Sequence, residues 1–367
     1  MTPSRTALRA ALAAALLLLA PAARGQEIVV KLGTLAPAGS NWHEILKDMA
    51  ERWSQASQGK VKLRIYPGGT QGSEGEMIRK MAVGQLQAAA VTSVGLHDIV
   101  PEPQGLAIPL MFDTEDELTA VMQKVQPKME SALEKKGYVA LTWGIVGSIK
   151  IFCSRPYKTP AEMAHAKIFT WEGDPGSVDA FRAAGFTPVV LSSTDIITSL
   201  QTGMIDCVPS VPLYALPVRL FERAPHMIDV NWGYLVGATV VRKDVWARIP
   251  ADVRPKLLEI SRELGKKVDA EVGKLNADAV AAMKKQGLAI PLMFDTEEEL
   301  TAVMQKLQPK LESALERKGY VALTWGIVGS IKIFCSRPYK TPAEMANAKI
   351  FTWEGDPGSV DAFRAAG

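Results

Sequence analysis

Several features that usually announce a function are scarce in this chain. Among 367 residues there are three cysteines and four histidines. Cys153, Cys207 and Cys335 are an odd number, which excludes a disulfide framework as the organiser of the fold. Burial as small apolar residues accounts most simply for Cys153 and Cys207, with a single pairing between them left open. His43, His97, His165 and His226 have no metal-ligand spacing among themselves or with cysteine. No H-E-x-x-H, G-x-S-x-G or phosphate-loop pattern occurs. The expectation is therefore no catalytic residue, no metal and no cofactor. Acid pairs such as Glu115 and Glu117 read as the solvated start of a charged helix. An exported enzyme with catalytic side chains scattered along the sequence is the alternative, as is a receptor for a lipid or a partner protein.

Charge of one sign is missing as well. The net charge is +3, and Arg5, Arg9 and Arg24 supply all of that surplus within residues 1–25, where there is no acid. The neutral remainder gives no electrostatic basis for binding nucleic acid or an anionic membrane. Long apolar runs are absent too, apart from Ala10 to Ala20. Its eleven residues span only ~16 Å as a helix, about half of a ~30 Å hydrocarbon core. With Arg5 and Arg9 before it and the small residues Ala23 and Gly25 after it, the run has the layout of an export signal cleaved near Gly25. At 47% hydrophobic and 22% charged residues, the rest is an ordinary folded protein, long enough for two domains.

Residues 104–185 recur as 286–367 with five differences: Asp116/Glu298, Val125/Leu307, Met129/Leu311, Lys135/Arg317 and His165/Asn347. The second copy ends at Gly367, in the middle of what is structure in the first copy. Residues 287–367 thus read as a partial duplication of 105–185, or a join of two close paralogues, rather than a third domain. Unpaired copies of Tyr320 to Trp325 and Ile331 to Cys335 would be adhesive strands, so self-association through the repeat is expected.

Lone strands alternate with amphipathic helices before the repeat. Strand residues 28–33 precede a helix from Trp42 to about Gln58 whose apolar face is Ile45, Leu46, Met49 and Trp53. Strand 62–66 leads through Pro67-Gly68-Gly69-Thr70-Gln71-Gly72 to a helix opened by Ser73, with Glu76 three residues later as a capping box. Strands follow at 86–91, 139–143, 149–153, 167–171, 189–191 and 205–208. A long helical region at 251–286 turns Leu257, Leu258, Ile260 and Leu264 inward. This pattern predicts α/β architecture with mostly parallel pairing. The glycine loop at 68–72 reads as a tight turn rather than an anion cradle.

Five segments appear in order between residues 31 and 206: KLGTLAPAGSNWHEILKDMAERW, GKVKLRIYPGGTQGSEGEMIRKMAVGQLQAAAV, IPLMFDTEDEL, YKTPAEMAHAKI and AAGFTPVVLSSTDIITSLQTGMID. With RIPADVRPKLLEI they make the chain resemble, as far as about residue 290, the DctP-type solute receptors of tripartite ATP-independent periplasmic (TRAP) transporters. The resemblance implies a two-lobed periplasmic-binding-protein-like fold with a hinge and a bracing helix. The lobes would comprise residues 26–146 with 236–286, and residues 147–235. It also implies a periplasmic receptor that closes on a small organic solute and delivers it to membrane permease subunits.

Ligands of open α/β sheets sit at strand ends, which makes Thr34, Pro37, Trp42, Gln71, Thr92 and Ser93 candidates for the first lobe's wall. The resemblance places an arginine that clamps ligand carboxylates in a K-I-R strand, and here that strand reads Lys167-Ile168-Phe169. The family's asparagine aligns with Ser210, and its polar segment with Asn231 to Val236. A buried carboxylate without a cationic partner costs about 3–5 kcal/mol, so a simple dicarboxylate is not the expected ligand. Phe169, Trp171, Tyr214, Trp232 and Tyr234 are expected to line an aromatic, mostly apolar cleft for an uncharged solute. Lys150 and Arg155 remain as neighbouring sources of a cation.

Overall fold

The computed structural model describes residues 27–157, 160–183 and 185–290. The export segment lies outside the described residues, as does all of the repeat beyond Ile290, including the strands expected to self-associate. The elements in chain order are β1 (Ile28–Thr34), α1 (Asn41–Ala56), β2 (Val61–Tyr66), α2 (Glu74–Ala82), β3 (Ala88–Thr92), α3 (Ser93–His97), α4 (Glu115–Lys135) and β4 (Tyr138–Cys153). They continue as α5 (Pro160–Met163), β5 (Lys167–Trp171), α6 (Pro175–Ala183), β6 (Thr187–Leu191), α7 (Ile196–Gln201), β7 (Cys207–Ser210), α8 (Pro212–Ala215), β8 (His226–Arg242), α9 (Lys243–Arg248) and α10 (Arg254–Lys285).

The eight strands of the described residues join one sheet in the order β2-β1-β3-β8-β4-β7-β5-β6. The outer pairs β1–β2, β1–β3, β5–β6 and β5–β7 are parallel, whereas β3–β8, β4–β8 and β4–β7 are antiparallel. The sheet is therefore mixed, which corrects the expectation of mostly parallel pairing. The reason is the pair of long central strands, β4 with 16 residues and β8 with 17. Residues 139–143 and 149–153, expected as two strands, are the two ends of β4. Register shifts at Ala140/Thr142, Ile145/Gly147 and Ile149/Ile151 bend it without breaking it.

These strands run through both halves of the molecule. In the first half, β1 to β3 carry α1, α2 and α4 on their two faces. Leu46, Met49 and Trp53 of α1 are buried with Val30, Leu32 and Leu257, while Met77 and Met81 of α2 are buried with Leu118 and Met129 of α4. Helix α2 starts as its sequence predicts: Ser73 Oγ accepts from Glu76 N–H at 3.3 Å, and Glu76 Oε2 accepts from Ser73 N–H at 2.7 Å. In the second half, Phe152, Phe169 and Met227 fill one core, and Phe181, Ile168 and Ile151 another.

Helix α10 braces both halves. Trp53 Nε1 donates to Leu257 O and Ser261 Oγ, both at 3.1 Å. Further along α10, Asn276 Nδ2 donates to Val146 O at 3.1 Å, and Asn276 Oδ1 accepts from Leu213 N–H of α8 at 3.1 Å. Gly147 makes this contact possible, because it has φ of 142° and a Cβ there would lie 2.4 Å from Asn276 Nδ2.

Cys153 and Cys207 are directly opposed on β4 and β7 and are joined as a disulfide, with Cα atoms 4.1 Å apart. The simpler expectation of two separate buried thiols is corrected. Sequence separation hid a pairing that antiparallel register imposes.

A cleft between the two halves as the candidate binding site

The loops after β1, β3 and β7 and the central stretches of β4 and β8 enclose a cavity of ≈ 150 Å³. From the first half, Thr34, Pro37, Trp42, Glu74 and Thr92 reach its wall; from the second, Trp171, Ser193, Ser210 and Tyr214 do. Ser40 shapes the first corner as the N-cap of α1: its Oγ donates to Pro37 O at 2.7 Å and accepts from His43 N–H at 3.4 Å. Trp42, in the first turn of α1, extends to the floor, where a Cβ at Gly144 would lie 3.1 Å from Trp42 Cη2. Ile45, Leu46, Met49, Val91, Val146, Ile149 and Leu235 make most of the remaining wall apolar.

Glu74 is the one carboxylate on this wall, and among the described residues the wall holds no lysine, arginine or histidine. The acid begins α2 and points toward the start of α3. Its oxygens accept from Thr92 N–H at 2.8 Å, Thr92 Oγ1–H at 2.7 Å and Gly95 N–H at 2.9 Å. Burial pushes its pKa above the ordinary glutamate value against the pull of these donors, and Asp98 adds to the rise. Across the cleft, the Tyr214 hydroxyl is pushed up by burial and, secondarily, by the negative charge of Glu74.

The expected wall and the observed one overlap in part. Thr34, Pro37, Trp42, Thr92, Trp171, Ser210 and Tyr214 share the cleft; the other six residues lie elsewhere. Gln71 is held in its turn, where Lys80 Nζ donates to its carbonyl at 2.8 Å. Ser93 is fully buried at the start of α3. Lys150 Nζ pairs with Asp229 at 2.7 Å, while Arg155 donates to Tyr157 Oη at 2.7 Å and lies over the same ring. Neither cation reaches the cleft.

Phe169 is 0% exposed and sits beneath Trp171, with ring centroids 5.1 Å apart and edge to face. Its place is the second half's core, and Trp171 covers it. Trp232 stacks on Phe181 at 4.8 Å and 7°, and Tyr234 is buried in the core containing Phe112 and Trp143. Strand alternation explains both: Leu235, Gly237 and Thr239 of β8 face the cleft, so Trp232 and Tyr234 face the other way. Glu74, Thr142, Ser193 and Thr239 belong to the wall and were not foreseen. An acid after a serine cap is ordinary in any first helical turn, so nothing local marks Glu74 out.

The comparisons with known proteins agree with this architecture. The family model described as "bacterial extracellular solute-binding protein, family 7" (DctP) matches residues 32–290. Among curated proteins, the C4-dicarboxylate-binding periplasmic protein DctP of Rhodobacter capsulatus is 26% identical over 275 residues, covering 74% of this chain and 81% of its own. The 2,3-diketo-L-gulonate-binding periplasmic protein YiaO of Escherichia coli is 23% identical over 250 residues, 68% of this chain and 76% of its own. Among solved structures, the TRAP periplasmic solute-binding protein of Pseudomonas putida F1 with bound D-glucuronate superposes with a TM-score of 0.68 at 21% identity, covering 81% of this chain and 98% of that one. The succinate-bound protein of Sulfurospirillum deleyianum gives 0.69 at 21%, covering 78% and 95%. These likenesses establish a two-lobed fold. No helix among the described residues is long and apolar enough to cross a membrane. With more than half of its length matched by the family model, the chain belongs to the DctP family of bacterial extracellular solute-binding proteins and is a solute-binding receptor rather than an enzyme.

Proposed function

We propose that this receptor captures a small apolar or aromatic organic solute between its two lobes in the periplasm and delivers it to the membrane permease subunits of a TRAP-type, ion-gradient-driven transporter. One observation carries the ligand class: the cleft wall, so far as it is described, is apolar and offers no lysine or arginine. A carboxylate desolvated there would lack a partner at a cost of about 3–5 kcal/mol, two to four decades in affinity. Phe169 stands where the resemblance places the clamp arginine, and it acts from behind Trp171 as packing. Thr34, Trp42, Thr92, Trp171, Ser210 and Tyr214 are the proposed contacts, with the hydroxyls setting orientation.

The lobe division at residues 146/147 and 235/236 is part of the same reading, supported by the register shift at Ile145/Gly147. So is export by removal of residues 1–25, which the Cys153–Cys207 disulfide favours because such bonds persist in oxidising compartments. Titration calorimetry with succinate and malate tests the ligand class. The expected result is no heat at millimolar concentration; binding at that level or tighter contradicts it.

A further inference from the structure

Three aromatic side chains and one carboxylate meet in the cleft. Trp42 and Glu74 come from the first lobe, and Trp171 and Tyr214 from the second. Rings present a negative face, and a cation placed over it is attracted by about 0.5–2 kcal/mol, more as water is excluded. Glu74 sets a buried acid with no cationic partner on the described wall beside the same space, and a bound cation would hold it ionised. No lysine, arginine or histidine on the described wall supplies the complement. The nearest cations foreseen from the sequence are engaged elsewhere, Lys150 with Asp229 and Arg155 with Tyr157.

From this juxtaposition we infer that the solute is an apolar organic cation, an amine or quaternary ammonium compound, held between the aromatic rings of the two lobes with Glu74 as its counter-charge. The inference rests on the apolar-cleft reading above and replaces its uncharged ligand with a positively charged one. Glu74 is prepared for this role. Three internal donors fix both of its oxygens and favour its ionised form, while burial makes that form costly until a positive charge arrives. The rings divide between the lobes, Trp42 on one side and Trp171 and Tyr214 on the other, so closure would bring both sides onto one ligand. The cavity volume of ≈ 150 Å³ matches that of a cavity able to hold benzene, about 150 Å³.

The test uses the full chain and three probes of similar size: phenyltrimethylammonium, its neutral isostere tert-butylbenzene, and benzoate. The expected result is that the cation binds about tenfold tighter than the neutral isostere, with benzoate weaker than both. Glu74→Gln, which keeps an oxygen to accept from Thr92, should abolish that preference. Equal binding of cation and isostere by the unaltered protein, which needs no variant, overturns the inference and leaves the apolar cleft standing. So does a preference that survives Glu74→Gln. Benzoate binding tighter than both would overturn the inference and the apolar-cleft reading together.

Discussion

The two lobes share one sheet yet are held together by different means. The first lobe has helices on both faces and two cores, and the 32-residue helix α10 extends one of them through Leu257, Ile260 and Leu264. The second has short strands and helices, with β5, β6 and β7 of four or five residues each. A small body buries a smaller share of its surface, and this one adds a covalent staple between β4 and β7 and paired rings, Phe181 on Trp232 and Phe169 on Trp171. Aromatic residues that look available for a ligand are thus consumed in making the smaller lobe stable. The larger lobe has enough apolar mass to leave a carboxylate, Glu74, facing the cleft.

The contrast can be broken by substitution. Phe169→Ala should have the largest effect, destabilising the protein by about 3–5 kcal/mol in chemical denaturation, because a fully buried ring leaves a cavity. A small loss there would mean that Phe169 is not core. Next, replacing Cys153 and Cys207 together by alanine should cost about 2–4 kcal/mol. Hydrogen exchange should then rise in β5 to β7 before it rises in β1 to β3; uniform loss would show that the lobes share one stability.

The smallest expected effect sharpens the boundary between the lobes. Asp269 of α10 accepts from Ile145 N–H at 2.9 Å, next to the bend in β4. Burial raises its pKa from 3.8 to about 6, the Ile145 hydrogen bond opposing the rise. Glu115 of α4 is the charged neighbour facing it, its own pKa raised by burial and then by Asp269. The folded state therefore holds a proton that the unfolded state has released between those values. Stability from this source is complete below pH 3.8 and is lost as pH rises through about 6. Asp269→Asn should flatten that dependence and add roughly 1 kcal/mol near neutral pH, the exposed part of the side chain reducing the gain. Melting curves across this range would check it.

The elements of the first lobe were readable because their signals are local. The spacing of Leu46, Met49 and Trp53 and the Ser73/Glu76 box each sit within one or two turns of helix. The long strands were not readable in the same way. Gly144 and Gly147 interrupt the pattern of β4 at the bend, and residues 231–236 of β8 mix polar, aromatic and glycine positions because the strand passes from one lobe to the other. The cleft was half legible. Residues at strand ends, such as Thr34 and Thr92, follow from the α/β pattern. The face taken by Trp232 or Tyr234 depends on register across a bulged pair, which no local signal fixes. Glu74 reads as a first-turn acid, and its role emerges only when β3, α3 and Tyr214 are brought around it.

We propose that the cleft has exchanged carboxylate capture for an apolar, aromatic-walled site. The most direct measurement is a native mass spectrum of the protein purified from a bacterial periplasm, followed by release and identification of whatever it retains. An apolar or aromatic compound, positively charged if Glu74 is its partner, is the expected result. A retained dicarboxylate or sugar acid would contradict it.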